Sequence, residues 1–337
     1  MQKFHAALSL AAASVLVLTG CSSAPGAADD GTLRVVASTN VYGALAAEVG
    51  GDRVEVTSLI DSAEKDPHSY EATARDRLAV QQADLVIENG GGYDGFVEEL
   101  RDGSDAVVIT AAEFSHDFPG GEDGHDHAEE HAEGEHDHAE DEAHVDEAHA
   151  EEEHDHADHD HIEGFNEHVW FDPHTIIHVV EQIAADLGEA DPEGKDDYTA
   201  NAENLIAELE GIEAELDELH TALEGTPVFM TEPLPGYLAA AAGLDDATPE
   251  GFASAVEEGN DVAPATLLAA LQLIEDGGVD ALLTNAQTGG AETDKVEDAA
   301  ETAGIPVVTF SELLEADQSY AEWMHDAIQS LADALEK

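Results

Sequence analysis

The sequence predicts an α/β protein of two lobes, each with a mainly parallel sheet flanked by helices, joined by one long helix. Three observations carry this. Short apolar runs alternate with helical spacing over residues 33–110 and again over 227–335, the pattern of strands that cross over through helices. Between these regions Leu205, Leu209, Ile212, Leu216 and Leu219 recur every three or four residues along 195–223, which is one face of a helix. A chain of 337 residues also exceeds what one simple core holds.

The first lobe, residues 32–190, reads in order as strand 33–38, helix 41–49, strand 53–60, helix 72–82, strand 84–88, helix 94–101 and strand 106–110. Its last helix opens at Asp172-Pro173, with proline suited to a first turn, and runs to about residue 187. Asp191-Pro192-Glu193-Gly194 interrupts it, so the linker is 191–224. The second lobe, 225–337, reads as strand 227–230, helices 234–242 and 265–275, strand 279–284, helix 292–303, strand 306–310 and helix 320–335. Ligands of open parallel sheets sit beyond the carboxyl ends of strands, which makes a cleft between the lobes the default site.

Residues 1–20 stand apart. Lys3 precedes an uncharged apolar run over 6–19, too short to span a bilayer and flanked like a signal segment. Leu18-Thr19-Gly20-Cys21 resembles a bacterial lipobox, which implies cleavage before Cys21 and lipidation of its sulfur. Residues 21–31 then read as a flexible tether. Cys21 is the sole cysteine, so neither an internal disulfide nor a thiolate zinc site is available.

Composition excludes one class of partner. With 10 Lys and Arg against 78 Asp and Glu, the chain has no positive face for nucleic acid. Residues 116–161 hold 12 of the 19 histidines and 20 acids with almost no large apolar side chain. Such a stretch buries too little to offset its ordering entropy and is expected to be a disordered loop within the first lobe. It repeats His-Asp-His at His125/His127, His136/His138 and His154/His156, and neutral imidazoles suit zinc, copper or nickel better than manganese. Its metal capacity is expected to fade as pH falls through about 6.5.

Three segments place metal-capable side chains at strand-end loops. Asp66-Pro67-His68-Ser69-Tyr70-Glu71 follows the strand 53–60, with Asp66 as an acceptor for the His68 ring. Asn166-Glu167-His168-Val169-Trp170-Phe171-Asp172-Pro173 follows the histidine-rich stretch, with aromatic residues to exclude water and Asp172 to orient the His168 imidazole. Thr231-Glu232-Pro233 follows the strand 227–230.

These segments, with Ala83-Asp84-Leu85-Val86-Ile87-Glu88-Asn89-Gly90 and the position of the histidine-rich loop, resemble the zinc- and manganese-specific substrate-binding lipoproteins of ABC importers (cluster A-I). The resemblance covers essentially the whole mature chain. It implies a rigid linking helix and a metal site in the interlobe cleft, with His68, His168 and Glu232 as ligands. Glu232 falls where zinc-binding members usually carry a third histidine and manganese-binding members a glutamate. The family's last ligand is an acid in the loop after the strand 279–284. Here that loop, 285–291, has no acid before Glu292, leaving Gln287, Asn285, Glu292 or a water to complete the shell. Two imidazoles and a carboxylate accept zinc, with manganese served if further oxygens join. The implied role is capture of Zn(2+), alternatively Mn(2+), by a monomer. Its Cys21 lipid anchors it at the outer face of the cytoplasmic membrane, where it delivers the ion to a permease and its ATPase.

Other classes are weaker. A secreted zinc hydrolase would use Glu167 or Glu71 as general base, but the chain has no HExxH helix and no nucleophile elbow. A surface zinc buffer or adhesin using the loop alone would not need two ordered lobes. His174 and His178 stand four apart on one helix without an evident third partner. His220 suits a helix C-terminus, and His325 reads as an exposed residue of the last helix.

Overall fold

The computed structural model describes residues 32–62, 65, 67, 70–119, 162 and 164–336. From Leu33 onward these form one compact unit. The first sheet contains β1 (Leu33–Thr39), β2 (Val54–Ile60), β3 (Leu85–Glu88) and β4 (Val107–Thr110) in the order β2-β1-β3-β4. The second contains β5 (Thr226–Met230), β6 (Leu244–Asp246), β7 (Ala281–Asn285) and β8 (Val307–Phe310) in the order β6-β5-β7-β8. Every pairing is parallel, and the two sheets share one topology. Central strands β3 and β7 are buried throughout, whereas edge strand β2 alternates in exposure, as sheets covered on both faces require.

Helices α1 (Asn40–Gly50), α2 (Ala74–Gln81) and α3 (Phe96–Arg101) serve the first sheet. Thr73 and Asp76 close a reciprocal capping box at the start of α2, satisfying amides the first turn leaves open. Next come α4 (Pro173–Ala190) and α5 (Lys195–Leu223), a pair packed side by side. At 29 residues α5 is roughly 44 Å long. Leu205, Leu209, Ile212 and Leu216 are buried and Leu219 half-buried along it, the stripe that the spacing predicts. Each fully buried leucine contributes about 1.5–3 kcal/mol.

The second lobe adds α6 (Gly236–Ala241), α7 (Phe252–Glu257), α8 (Pro264–Glu275), α9 (Ala291–Ala303) and α10 (Tyr320–Leu335). β6 and α7 were not expected from sequence. β6 is three residues long with two acids, and α7 is a six-residue helix behind Gly251, whose φ of 78° begins it from a turn. Neither is long enough to display a period.

α10 packs on β8 of the second sheet and also reaches into the first lobe. It lies against α5 and α1, and Tyr320 donates 2.7 Å to the Trp170 carbonyl. Trp323 stacks on Phe171 with ring centroids 4.8 Å apart. Side chains of both sheets therefore share one apolar core through α1, α4, α5 and α10. Two of the remaining histidines make exposed contacts between elements. His325 Nδ1 is 2.8 Å from Glu215 Oε2 on α5, and His220 Nδ1 is 3.1 Å from the Ala241 carbonyl. Among the described residues no helix is long and apolar enough to cross a membrane.

Candidate metal centre

The segment between β4 and α4 is fixed before its imidazole is. Asn89 ends the loop side of β3, and its Nδ2 donates 2.9 Å to the Glu167 carbonyl. The following glycines Gly90, Gly91 and Gly92 all have positive φ, and a Cβ on Gly91 would stand 2.8 Å from the Phe165 ring. Asp94 closes this turn by accepting from the amides of Asn89 and Gly90 at 2.7 and 2.8 Å. The glycine run thus seats Phe165 and the residues after it; it does not cradle a phosphate. Past His168, Val169, Trp170 and Phe171 form a buried 3-10 turn, and Asp172 starts α4.

His168 is 1% exposed. Its Nδ1 is 2.8 Å from Asn166 Oδ1, and that amide is oriented because its Nδ2 donates to the Pro233 carbonyl at 3.0 Å. An oxygen can only accept, so Nδ1 carries a ring proton and Nε2 faces the other side of the ring. Nε2 lies 3.6 Å from Glu257 Oε1. His168, Glu167 and Glu257 together place one ligand atom each within 4.8 Å of the others. One imidazole and two carboxylates grouped in this way could hold a metal ion. Trp170 and Tyr93 wall it, their rings edge-on to the imidazole at centroid distances of 5.1 and 6.1 Å.

Asp172, expected to orient His168, does something else. It accepts from the His174 amide at 3.2 Å and from Thr175 Oγ1 at 2.6 Å, capping α4. Proximity to a helix start outcompetes the ring, and the orienting role falls to Asn166. Replacing Asn166 with alanine should free the ring to change tautomer and weaken metal binding by about 10–100-fold, read by chelator-competition titration with the fold checked by circular dichroism. Unchanged affinity would remove Asn166 from the site.

The second lobe contributes a linked set of acids. Glu232, 3% exposed at the end of β5, accepts from Thr288 Oγ1 and from Asn285 Nδ2, the latter at 2.6 Å. The same Asn285 amide donates 2.8 Å to Glu312 Oε1, and Glu312 Oε2 accepts from Tyr93 at 2.7 Å. Burial and the Glu312 carboxylate push the Tyr93 phenol far above its ordinary pKa, so it stays a donor. Tyr93 thus ties the second lobe's acids to the wall of the His168 site. Glu232 itself is not in the group of three around His168.

Gln287 is not positioned as a ligand. Its Nε2 donates to Ser311 Oγ at 2.9 Å and its Oε1 accepts from the Glu312 amide at 3.1 Å, so both ends of the amide brace the turn after β8. A fully buried acid, Glu312, stands in the turn after β8. Its sequence signal was an acid two residues past a strand end, between Phe310 and Leu313-Leu314. Glu257 was missed with α7, which is anchored by Phe252 packed edge-on to Phe229 at 4.9 Å. His68, Asp66, Cys21 and the loop histidines His125, His127, His136, His138, His154 and His156 lie outside the described residues. Glu71 is exposed before α2.

The class these features give is a two-lobed parallel α/β protein whose lobes share one helical layer, with a candidate metal centre of one imidazole and two carboxylates. The chain belongs to the family described as zinc-uptake complex component A, periplasmic (ZnuA), whose model matches residues 35–334. It is 26% identical over 235 residues to the manganese-binding lipoprotein MntA of Halalkalibacterium halodurans, covering 68% of this chain and 65% of that protein. It is 27% identical over 212 residues to the zinc-binding lipoprotein AdcA of Streptococcus pneumoniae, covering 61% of this chain and 36% of that protein. The chain therefore spans less than two thirds of the length of these relatives. Its fold matches the periplasmic zinc-binding protein TroA of Treponema pallidum with a TM-score of 0.67 at 16% identity, over 91% of this chain and all of that one.

Proposed function

We propose that this chain is an extracytoplasmic lipoprotein, anchored through Cys21, that captures Zn(2+) and delivers it to an ABC importer. The observation that carries the reading is the His168 imidazole, its proton fixed on Nδ1 by Asn166 and its Nε2 turned toward Glu167 and Glu257. His68 is the second imidazole of the proposed site, and Glu232 and Glu312 are the oxygen ligands from the second lobe, with Glu167 and Glu257 closing around the ion. The role needs binding and release but no bond-making step. The permease and ATPase are inferred from the family alone.

The carboxylates around His168 support a second reading, manganese as cargo, because harder oxygen donors favour it. Zinc is preferred on the histidine-rich stretch, whose imidazoles are poor manganese ligands and which would gather zinc for the cleft. Zinc titration of the purified chain should find one site far tighter than the rest. Deleting residues 116–161 should remove several weak equivalents and leave that site in place. Loss of the tight site on deletion would refute this division of labour, and manganese alone in the deleted protein by elemental analysis would establish the second reading.

A further inference from the structure

We propose that His174 and His178 of α4, with Glu213 of α5, form a second metal site on the outer surface, one that takes zinc or nickel and not manganese. Two histidines four residues apart stand on one helical face, the spacing with which a helix presents paired imidazoles to zinc. Their rings are in edge contact at 5.1 Å. The third partner, absent from any reading of α4 alone, comes from the neighbouring helix: Glu213 Oε1 is 3.4 Å from His174 Nδ1. Glu181, one turn along α4, is 3.1 Å from His178 Nδ1.

Both imidazoles and both carboxylates are partly exposed, with side-chain exposures of 64% and 28% for His174 and His178 and 36% for Glu213. Turning the rings inward therefore meets solvent rather than core. The two acids supply the negative charge that offsets repulsion between a cation and the positive start of α4. Two nitrogens and one or two oxygens suit a borderline ion and leave a position for water. His116 brings a further imidazole to the start of α4, its Nδ1 4.0 Å from Asp172, the cap residue. The site shares no residue with the His168 centre and stands independently of it.

The test is carbethoxylation by diethyl pyrocarbonate in the full chain, mapped by peptide mass spectrometry as zinc is raised. His174 and His178 should become protected together over one zinc range, while manganese protects neither. Glu213→Gln should shift that range for both histidines by roughly tenfold, the low end of what loss of a supporting group costs. The protection should persist in His168→Ala, which separates this site from the cleft. Protection of only one histidine, protection that Glu213→Gln leaves unmoved, or none at zinc levels that protect the histidines between 125 and 156 overturns the site.

Discussion

Replacing His168 with alanine should lower affinity for the tightly held ion by well over the roughly 10–100-fold that loss of an outer partner costs. The ring is the one described nitrogen ligand of the centre, it is buried, and its neighbours Glu167 and Glu257 would then face each other without it. Removing it takes away an imidazole nitrogen and leaves only the carboxylates of buried Glu167 and half-buried Glu257 in the group. Chelator-competition titration measures the change, with zinc and manganese run separately. If the tight site survived at its original strength, the centre would have to be moved elsewhere in the cleft.

The second large effect falls on stability. Phe171 is fully buried three residues beyond His168, stacked on Trp323 of α10 and edge-on to Phe310 of β8 at 5.9 Å. It joins the first lobe, the last strand and the last helix at one point. Phe171→Ala should cost about 3–5 kcal/mol, the range for emptying an aromatic position in a core. Equilibrium unfolding in denaturant reads it directly. A loss near the 0.5 kcal/mol of a surface change would show that the shared core does not depend on this contact.

Long periodic segments were legible from sequence. α5 and α10 begin and end where their apolar spacing begins and ends, because a helix several turns long repeats its buried face enough times to be counted. All strands but β6 were readable to within two residues for a related reason, since central strands of a covered parallel sheet are unbroken apolar runs. His168 stood out as a histidine among aromatics, and the structure places it at the start of a 3-10 turn before α4. The partners around it were not. Asn166 acts through an amide whose orientation depends on the Pro233 carbonyl, 67 residues away. Glu257 depends on a six-residue helix held by one phenylalanine. Glu312 depends on how β8 turns into α10. Each is a tertiary fact, and a local pattern that yields Asp172 as the obvious partner gives the wrong acid when a helix start lies closer.

The return of α10 across α5 decides whether the lobes are modules. A break after Leu223 would leave Phe171 and the Trp170 carbonyl without Trp323 and Tyr320, and would strip the second sheet of the helical layer it shares with the first. Neither half is a portable part that could be grafted, swapped or inherited on its own. Despite its duplicated sheet order, the molecule is indivisible, and its two halves must be made, folded and lost together.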